Sequence, residues 1–364
     1  ICVLKACGRL GWLKIGKDIH SMIHRCSFEK DVGFGNTLMD MYIKCGALQK
    51  AQEVFDEELL IRDVVSCNAL IAGYTQRGLG HKALECFKRM RDEGICPNSV
   101  TFICILKTCG SLGLVEIGEE IYADVQKQGL FEKDITLSTS FVEMYMKCGL
   151  VEKAHKVFED LPIQDVVACN ALMAGYAQCG LHDQVMSHFV WMREKGIDPD
   201  GATFTCILRT CASLGSLNIG EEIHTKICNR RLLEKDNVLG NTLVDMYSKC
   251  GMLEKALRVF QELPERDIIA WSTLVSGCAQ MGHIERILVL FGKMMAAGVA
   301  PNHVIFLGLL VACSHQGLVD EGQRIFNEMM GIYCVAPSIQ HYTCMVDLFS
   351  RAGHFNKAIS LLEM

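Results

Sequence analysis

The chain has 364 residues, with 36 Lys and Arg against 42 Asp and Glu and a formal net charge of −6. Half of the residues are hydrophobic and the mean hydropathy is +0.22, which suits helices packed on both faces. The longest apolar run, Val304–Cys313, is far shorter than the roughly 18–20 residues that cross a bilayer, and the acidic total weighs against a nucleic-acid partner on composition alone.

Residues 1–31 begin inside a repeat, because Ile1 aligns with Ile103, and Met364 also falls inside one. No signal or transit peptide is visible at such a start. The units that follow occupy 32–63, 64–98, 99–134, 135–165, 166–200, 201–236, 237–267, 268–302, 303–338 and, in part, 339–364. Three phrases 102 residues apart set this division: VVSCNALIAGYTQRGL from Val64, VVACNALMAGYAQCGL from Val166 and a weaker IIAWSTLVSGCAQMGH from Ile268. Cys7, Cys109, Cys211 and Cys313 keep the same interval, as do Pro97, Pro199 and Pro301. Within a block the units measure 35, 36 and 31 residues. Each opens on an apolar run of helical length, such as CNALMAGYAQ, CILRTCASLG or NTLVDMYSKC, and closes on a second run such as LEKALRVFQEL. In that second run Ala256, Val259, Phe260 and Leu263 recur at three and four, the period of a helix with one buried face. Gly46, Gly149 and Gly251 fall at the break, where a left-handed residue ends a helix. The six prolines (Pro97, Pro162, Pro199, Pro264, Pro301 and Pro337) all follow second runs, and none falls inside a helix, where it would cost about 3 kcal/mol. The expectation is a helix–turn–helix repeat stacked as one elongated solenoid. Charge in such an array differs from face to face, so its placement matters more than the total.

Twenty cysteines raise the question of disulfides or metal. Cys45, Cys148 and Cys250 precede the inter-helix glycine, one per block, and equivalent sites so far apart along a solenoid cannot pair. No C-x-x-C occurs. The thiols read as small buried hydrophobes, and they imply a reducing compartment. His20 and His24 stand four apart on a helix, but the counterparts of His20 are Tyr122 and His224, followed four residues on by Gln126 and Cys228. No metal site, catalytic residue or cofactor site is expected, since H-E-x-x-H, P-loop and nucleophile-elbow patterns are missing.

The phrases NALIAGY, DMYIKCG, KALECFKRM and GICPN resemble the pentatricopeptide repeat family of land plants, and the 35/36/31 alternation resembles its P, L and S subtypes. The closing VIFLGLLVACSHQGLVDEGQRIF and HYTCMVDLFSRAGHFNKAISLLEM look like the variant L and S repeats that end such arrays. Tetratricopeptide repeats keep a constant length of about 34 residues and a Trp-Leu-Gly-Tyr signature, and this chain has neither. The resemblance implies an all-α, right-handed superhelical α-solenoid that binds single-stranded RNA, one base per repeat. It further implies that the fifth and the last residue of each repeat meet a base edge. Those residues are Asn36 with Asp63, Asn68 with Asn98, Ile103 with Asp134, Thr139 with Asp165, Asn170 with Asp200, Thr205 with Asp236, Asn241 with Asp267, Ser272 with Asn302, Leu307 with Ser338, and Thr343 alone. Asn offers a donor and an acceptor, a hydroxyl is adaptable, and an ionised Asp only accepts. Ile103 and Leu307 offer no hydrogen bond, so the L repeats are expected to read weakly or to space the RNA. The family code then gives 5′-U-Y-n-G-U-n-U-A-n-R-3′, with n at the L repeats.

Second positions add a base-stacking set, Val65, Val100, Val167, Val238, Ile269 and Val304, for which ordinary inter-repeat core is the competing reading. Position 13 of every S repeat is basic: Lys44, Lys147, Lys249 and Arg351. These are the expected phosphate contacts, with an exposed helix-end cation as the competing reading. Glu119, Glu120, Glu221 and Glu222 are expected on an outer, solvated face. Arrays of this subtype continue into a zinc deaminase that converts cytidine to uridine in organelle transcripts. That chemistry needs an H-x-E together with a P-C-x-x-C, a set this chain lacks. The resemblance implies a non-enzymatic guide for C-to-U editing in a mitochondrion or chloroplast, with single-stranded RNA and an editing deaminase or accessory factor as partners, and neither DNA nor membrane. An RNA stability, splicing or translation factor is the alternative within RNA biology, and a protein-binding helical scaffold is the alternative of another class.

Overall fold

The structure, a computed structural model, describes residues 1–25, 32–59 and 61–362. It divides into two compact units, Ile1–Leu181 and His182–Met364. The first holds α1 (Cys2–Leu10), α2 (Leu13–Arg25), α3 (Val32–Lys44), α4 (Leu48–Glu53, continued by a π turn over Val54–Glu58), α5 (Val64–Gln76), α6 (Gly80–Asp92), α7 (Ser99–Leu112), α8 (Val115–Lys127), α9 (Ile135–Lys147), α10 (Val151–Glu159) and α11 (Val166–Gln178). The second holds α12 (His182–Glu194), α13 (Gly201–Leu214), α14 (Leu217–Asn229), α15 (Asn237–Lys249), α16 (Leu253–Glu262), α17 (Ile268–Gln280), α18 (Ile284–Ala296), α19 (His303–Gln316), α20 (Val319–Gly331), α21 (Ile339–Arg351) and α22 (Phe355–Leu362). No strand occurs among the described residues, and no helix is long and apolar enough to cross a membrane.

Odd-numbered helices are the first helices of the repeats, and they form the continuous layer of each unit. In the first unit α1 packs on α3, α3 on α5, α5 on α7, α7 on α9 and α9 on α11; in the second, α13, α15, α17, α19 and α21 pack in the same succession. Within each unit the second helices lie against their own first helix and the next one, as α6 does with α5 and α7 and α18 with α17 and α19. First helices are therefore apolar on two sides. Leu70, Ile71, Phe102, Ile105, Phe141 and Val142 are fully buried in one unit, and Phe204, Ile207, Leu243, Val244, Leu274 and Val275 in the other. Each such side chain stabilises the stack by about 1.5–3 kcal/mol through burial.

Glycine has two uses here. Gly149, at φ 75°, ends α9 in the left-handed conformation and lets the chain reverse into α10. Gly175 lies inside α11, where a Cβ would stand 2.6 Å from Cβ of Met146 on α9. The Gly of the recurring AGY phrase is thus a close-approach residue between first helices. The six prolines all fall between helices. Cys7, Cys109, Cys211 and Cys313 are buried, and burial pushes the thiol of Cys109 up to about 12 and those of Cys211 and Cys313 up to about 11. Cys109, Cys211 and Cys313 are packed, protonated side chains.

Candidate nucleic-acid interface

The first helices α5 to α19 each start directly after the residue that ends the preceding repeat, and that residue is the N-cap. Asp63, Asn98, Asp134 and Asp165 cap α5, α7, α9 and α11, while Asp200, Asp236, Asp267 and Asn302 cap α13, α15, α17 and α19. In every case Oδ1 accepts the backbone N–H three residues on, at 2.8–3.1 Å. Ser338 caps α21 through a reciprocal box with His341. The second helices α6, α8, α10 and α20 lack such bonds among the described residues: Leu79, Leu114, Leu150 and Leu318 stand at their N-caps with no side-chain acceptor. Each cap contributes about 0.5–2 kcal/mol relative to alanine.

This commitment of Oδ1 decides what remains for a ligand. The leftover atom is Oδ2 in Asp63, Asp134, Asp165, Asp236 and Asp267, and Nδ2 in Asn98 and Asn302. None of these seven atoms has a hydrogen-bond partner among the described residues. An Asp cap thus presents an acceptor and an Asn cap a donor, with the backbone geometry held constant.

Four fifth-position residues reach their cap directly. Asn36 Nδ2 donates to Asp63 Oδ1 at 3.4 Å, Asn68 Nδ2 to Asn98 Oδ1 at 3.0 Å, Asn241 Nδ2 to Asp267 Oδ1 at 3.4 Å, and Ser272 Oγ to Asn302 Oδ1 at 3.3 Å. Thr101 Oγ1 also donates to Asn68 Oδ1 at 2.6 Å, so that side chain is held from both ends. Thr139 is buried on α9, Asn170 is half-buried on α11 and Thr205 is half-buried on α13, while Thr343 is exposed on α21 and donates to the Ile339 carbonyl at 2.9 Å. Ile103 and Leu307 are half-buried at the same position. In three S repeats the fifth residue keeps a buried polar atom without a hydrogen-bond partner among the described residues: Asn36 Oδ1, Thr139 Oγ1 and Asn241 Oδ1. Leaving such an atom unpaired costs about 1–3 kcal/mol, which a hydrogen-bonding ligand can recover.

The second positions stand one turn before the fifth, on the same face of the helix. Val65, Val100, Val167, Val238 and Ile269 are 52–66% exposed, so the inter-repeat core does not hold them. Val304 is half-buried. Exposed aliphatic side chains beside polar dyads form a surface with an apolar flank and a hydrogen-bonding edge.

Position-13 cations are exposed at the ends of their helices, but most are already paired. Lys44 meets Asp40 at 2.6 Å, Lys249 meets Asp245 at 2.8 Å and Arg351 meets Asp347 at 2.9 Å, each across one helical turn. Lys147 is exposed and has no ion pair among the described residues. Exposed pairs at this spacing are worth only about 0.3–0.5 kcal/mol, so a phosphate can displace the carboxylate. The acids of the second helices are less solitary than a solvated face implies. Glu119 pairs with Lys153 at 2.6 Å, Glu221 pairs with Lys255, and Glu222 binds Lys226 at 2.6 Å and Arg193 at 3.4 Å. Glu120 is exposed. Much of the negative charge therefore sits on even-numbered helices, away from the dyads.

His20 hydrogen-bonds Tyr42 and Glu58, each at 2.8 Å, and the side chain of His24 lies outside the described residues. His283-Ile284-Glu285 has the H-x-E spacing, but it starts α18. Among the described residues no group of three His, Cys, Asp or Glu is placed to hold a metal ion.

The sequence matches two models of the PPR repeat, one over residues 62–111 and 164–213, the other over 36–57, 138–163, 241–268, 269–299, 304–334 and 341–364. Among curated proteins it is 36% identical over 99% of its length to the pentatricopeptide repeat-containing protein At2g13600 of Arabidopsis thaliana, covering 57% of that protein. It is 35% identical over its whole length to the mitochondrial protein At1g06140 of the same plant, covering 65% of that one. The chain thus spans well under the full length of these relatives. Among solved structures it resembles the pentatricopeptide repeat protein PPR10 in complex with an 18-nt psaJ RNA element, with a TM-score of 0.66 at 18% identity over 87% of this chain and 48% of that one, a likeness of fold. Repeat by repeat, the helical pairs, their spacing and these matches agree: the chain belongs to the pentatricopeptide repeat family.

Proposed function

We propose that this chain binds single-stranded RNA in a sequence-specific way, one base per repeat, through the dyads of fifth residue and N-cap. The observation that carries this reading is the division of labour within the caps Asp63, Asn98, Asp134, Asp165, Asp236, Asp267 and Asn302. Oδ1 holds the helix, and the second atom is left to meet a base. Oδ2 of an Asp accepts from the N3–H of uracil or the N1–H of guanine, whereas Nδ2 of an Asn donates to N3 of cytosine or N1 of adenine. The exposed second-position aliphatics support stacking of the bases beside the dyads; aromatic platforms give about 1–3 kcal/mol per base, and Val and Ile give less. By the family code the preferred site is 5′-U-Y-n-G-U-n-U-A-n-R-3′, read from Asn36 to Thr343.

The P, L and S alternation supports membership of the PLS subfamily and, with it, a part in choosing a cytidine for C-to-U editing in an organelle. Several relatives carry the word mitochondrial in their names, which supports that location or the chloroplast. Deamination itself falls to a downstream domain or a recruited editing factor. One substitution tests the reading head. Asn241→Thr, with Asp267 kept, moves preference at that nucleotide from U towards G; equal binding to both RNAs before and after the change refutes the assignment. Editing is tested by sequencing organellar transcripts in plants lacking the gene. Loss of conversion at one site that re-expression restores supports the role, and an unchanged editing profile rejects it.

A further inference from the structure

The first helices of the L repeats carry few charges, and in α1, α7 and α13 one of them, alone in α7 and α13 and joined by Arg9 in α1, holds a fixed place. In α7 the only charged side chain is Lys107, and in α13 it is Arg209. Both hold the ninth position of their repeat, and α1 has Lys5 at the matching position. All three are exposed, and none takes part in an ion pair among the described residues. The helix dipole does not explain them: Lys107 lies more than a turn before the end of α7 at Leu112, and dipole stabilisation fades within the last turn. Packing does not explain them either, since apolar neighbours would favour an apolar residue. At the ninth position the S repeats carry acids instead, Asp40, Glu143, Asp245 and Asp347.

Positions five and nine are one turn apart on the same helix face. Lys107 thus follows Ile103, and Arg209 follows Thr205, towards the C-terminal side of the base-reading level. A second cation comes alongside from the next repeat. A Cβ on Gly110 would stand 3.2 Å from Cδ of Lys147, and a Cβ on Gly8 would stand 3.3 Å from Cδ of Lys44. Gly110 and Gly8 lie three residues past Lys107 and Lys5, again on the same face. The absent side chains let the stems of the S-repeat lysines lie against the L helix that carries Lys5 or Lys107, with Lys44 paired to Asp40 and Lys147 without an ion pair among the described residues.

We propose that the L repeats grip the RNA backbone rather than the base: Lys5, Lys107 and Arg209 contact phosphates at the weakly read nucleotides, two of them beside the S-repeat lysines Lys44 and Lys147. This rests on the RNA-binding reading above and assigns a chemistry to the weakly read positions. The last L repeat provides an internal contrast, because its ninth residue is the half-buried Val311. It has no such grip.

The test is the salt dependence of binding to RNA of the proposed sequence, with a second RNA altered only at the n positions. Each phosphate contact on a single strand adds about 0.7 to the slope of log affinity against log salt. The variant Lys5→Gln/Lys107→Gln/Arg209→Gln therefore loses about 2.1 from that slope, and its affinity loss between about 50 and 200 mM salt shrinks about 18-fold relative to the parent. Both RNAs weaken alike. Lys107→Arg/Arg209→Lys keeps the parental slope, and Val311→Lys steepens it by about 0.7. A triple variant that melts like the parent and keeps its affinity and slope overturns the proposal while leaving base reading intact. A conservative exchange that loses the slope, or a Val311→Lys chain that leaves it unaltered, overturns it as well. A parent that binds neither RNA rejects the RNA reading and the phosphate grip together.

Discussion

The substitution Asn98→Asp changes one atom of the head group and separates the two duties of a cap. In the structure Asn98 Oδ1 accepts the Thr101 backbone N–H at 3.1 Å and the Asn68 amide at 3.0 Å. The new carboxylate keeps an oxygen in that place, so α7 stays capped. A negative charge at its N-terminus adds about 0.3–1 kcal/mol at an exposed site, and the melting temperature holds or rises slightly. The other atom changes from a donor to an ionised acceptor. A hydrogen bond to a charged group is worth about 1.5–3 kcal/mol. Asn98 is exposed, so the lower end applies, which corresponds to about a tenfold swing in the U-to-C affinity ratio at that nucleotide. Fluorescence anisotropy with two RNAs that differ there by U or C measures the ratio, and a circular-dichroism melt measures the fold. An unaltered ratio with an unaltered melt refutes reading by the free cap atom. A clear fall in melting temperature refutes the claim that Oδ1 alone holds the helix.

Three further outcomes follow from the same geometry. Asp267→Ala removes the acceptor of the Ala270 N–H and lowers stability by about 0.5–2 kcal/mol in a urea titration, whereas Asp267→Asn leaves stability nearly intact and turns the preference at the Asn241 nucleotide from U towards C; equal stability of the two variants contradicts the capping role. Gly175→Ala gains about 1 kcal/mol in helix propensity but drives a Cβ against Met146, an overpacking that costs about 1–3 kcal/mol, so the net effect is a lower melting temperature, and a more stable variant argues against close approach of α9 and α11. The thiols of Cys109 and Cys169, pushed by burial up to about 12, and those of Cys211 and Cys278, at about 11, are neutral in the fold, whereas their ordinary value is near 9. Their contribution to stability is whole below about pH 9 and declines as pH rises towards about 12, so a thiol reagent at pH 8 labels the exposed Cys96, Cys179 and Cys334 well before them, and uniform labelling of the native chain contradicts their burial.

The repeat interval, the helical pairs and the proline and glycine breaks were legible in the sequence, because each leaves a residue type at a fixed distance. Asp63 and its equivalents show where such reading stops. As sequence they are acceptors at the end of a repeat; only the backbone reveals that they cap the following helix with one oxygen and keep the other. Val65 and Ile269 were ambiguous for a related reason. An aliphatic residue in an apolar helix reads as core, and only the turn of that helix relative to its neighbours shows that the second position faces outward. The pairing of Lys44 with Asp40 and of Lys249 with Asp245 follows from a spacing of four on one helix face, a signal the sequence carries. Asn36 Oδ1 and Asn241 Oδ1, without partners among the described residues, have no sequence signal at all, since they depend on which side chains fail to reach them.

Sequence-selective RNA binding is the claim on which the rest depends, and an anisotropy titration of the 364-residue chain with 5′-U-Y-n-G-U-n-U-A-n-R-3′ and with a scrambled RNA of the same composition tests it most directly. The dyads predict at least about a tenfold tighter complex with the ordered sequence, equivalent to about 1.4 kcal/mol. Equal affinity for the two RNAs, or no binding to either at low salt, contradicts it.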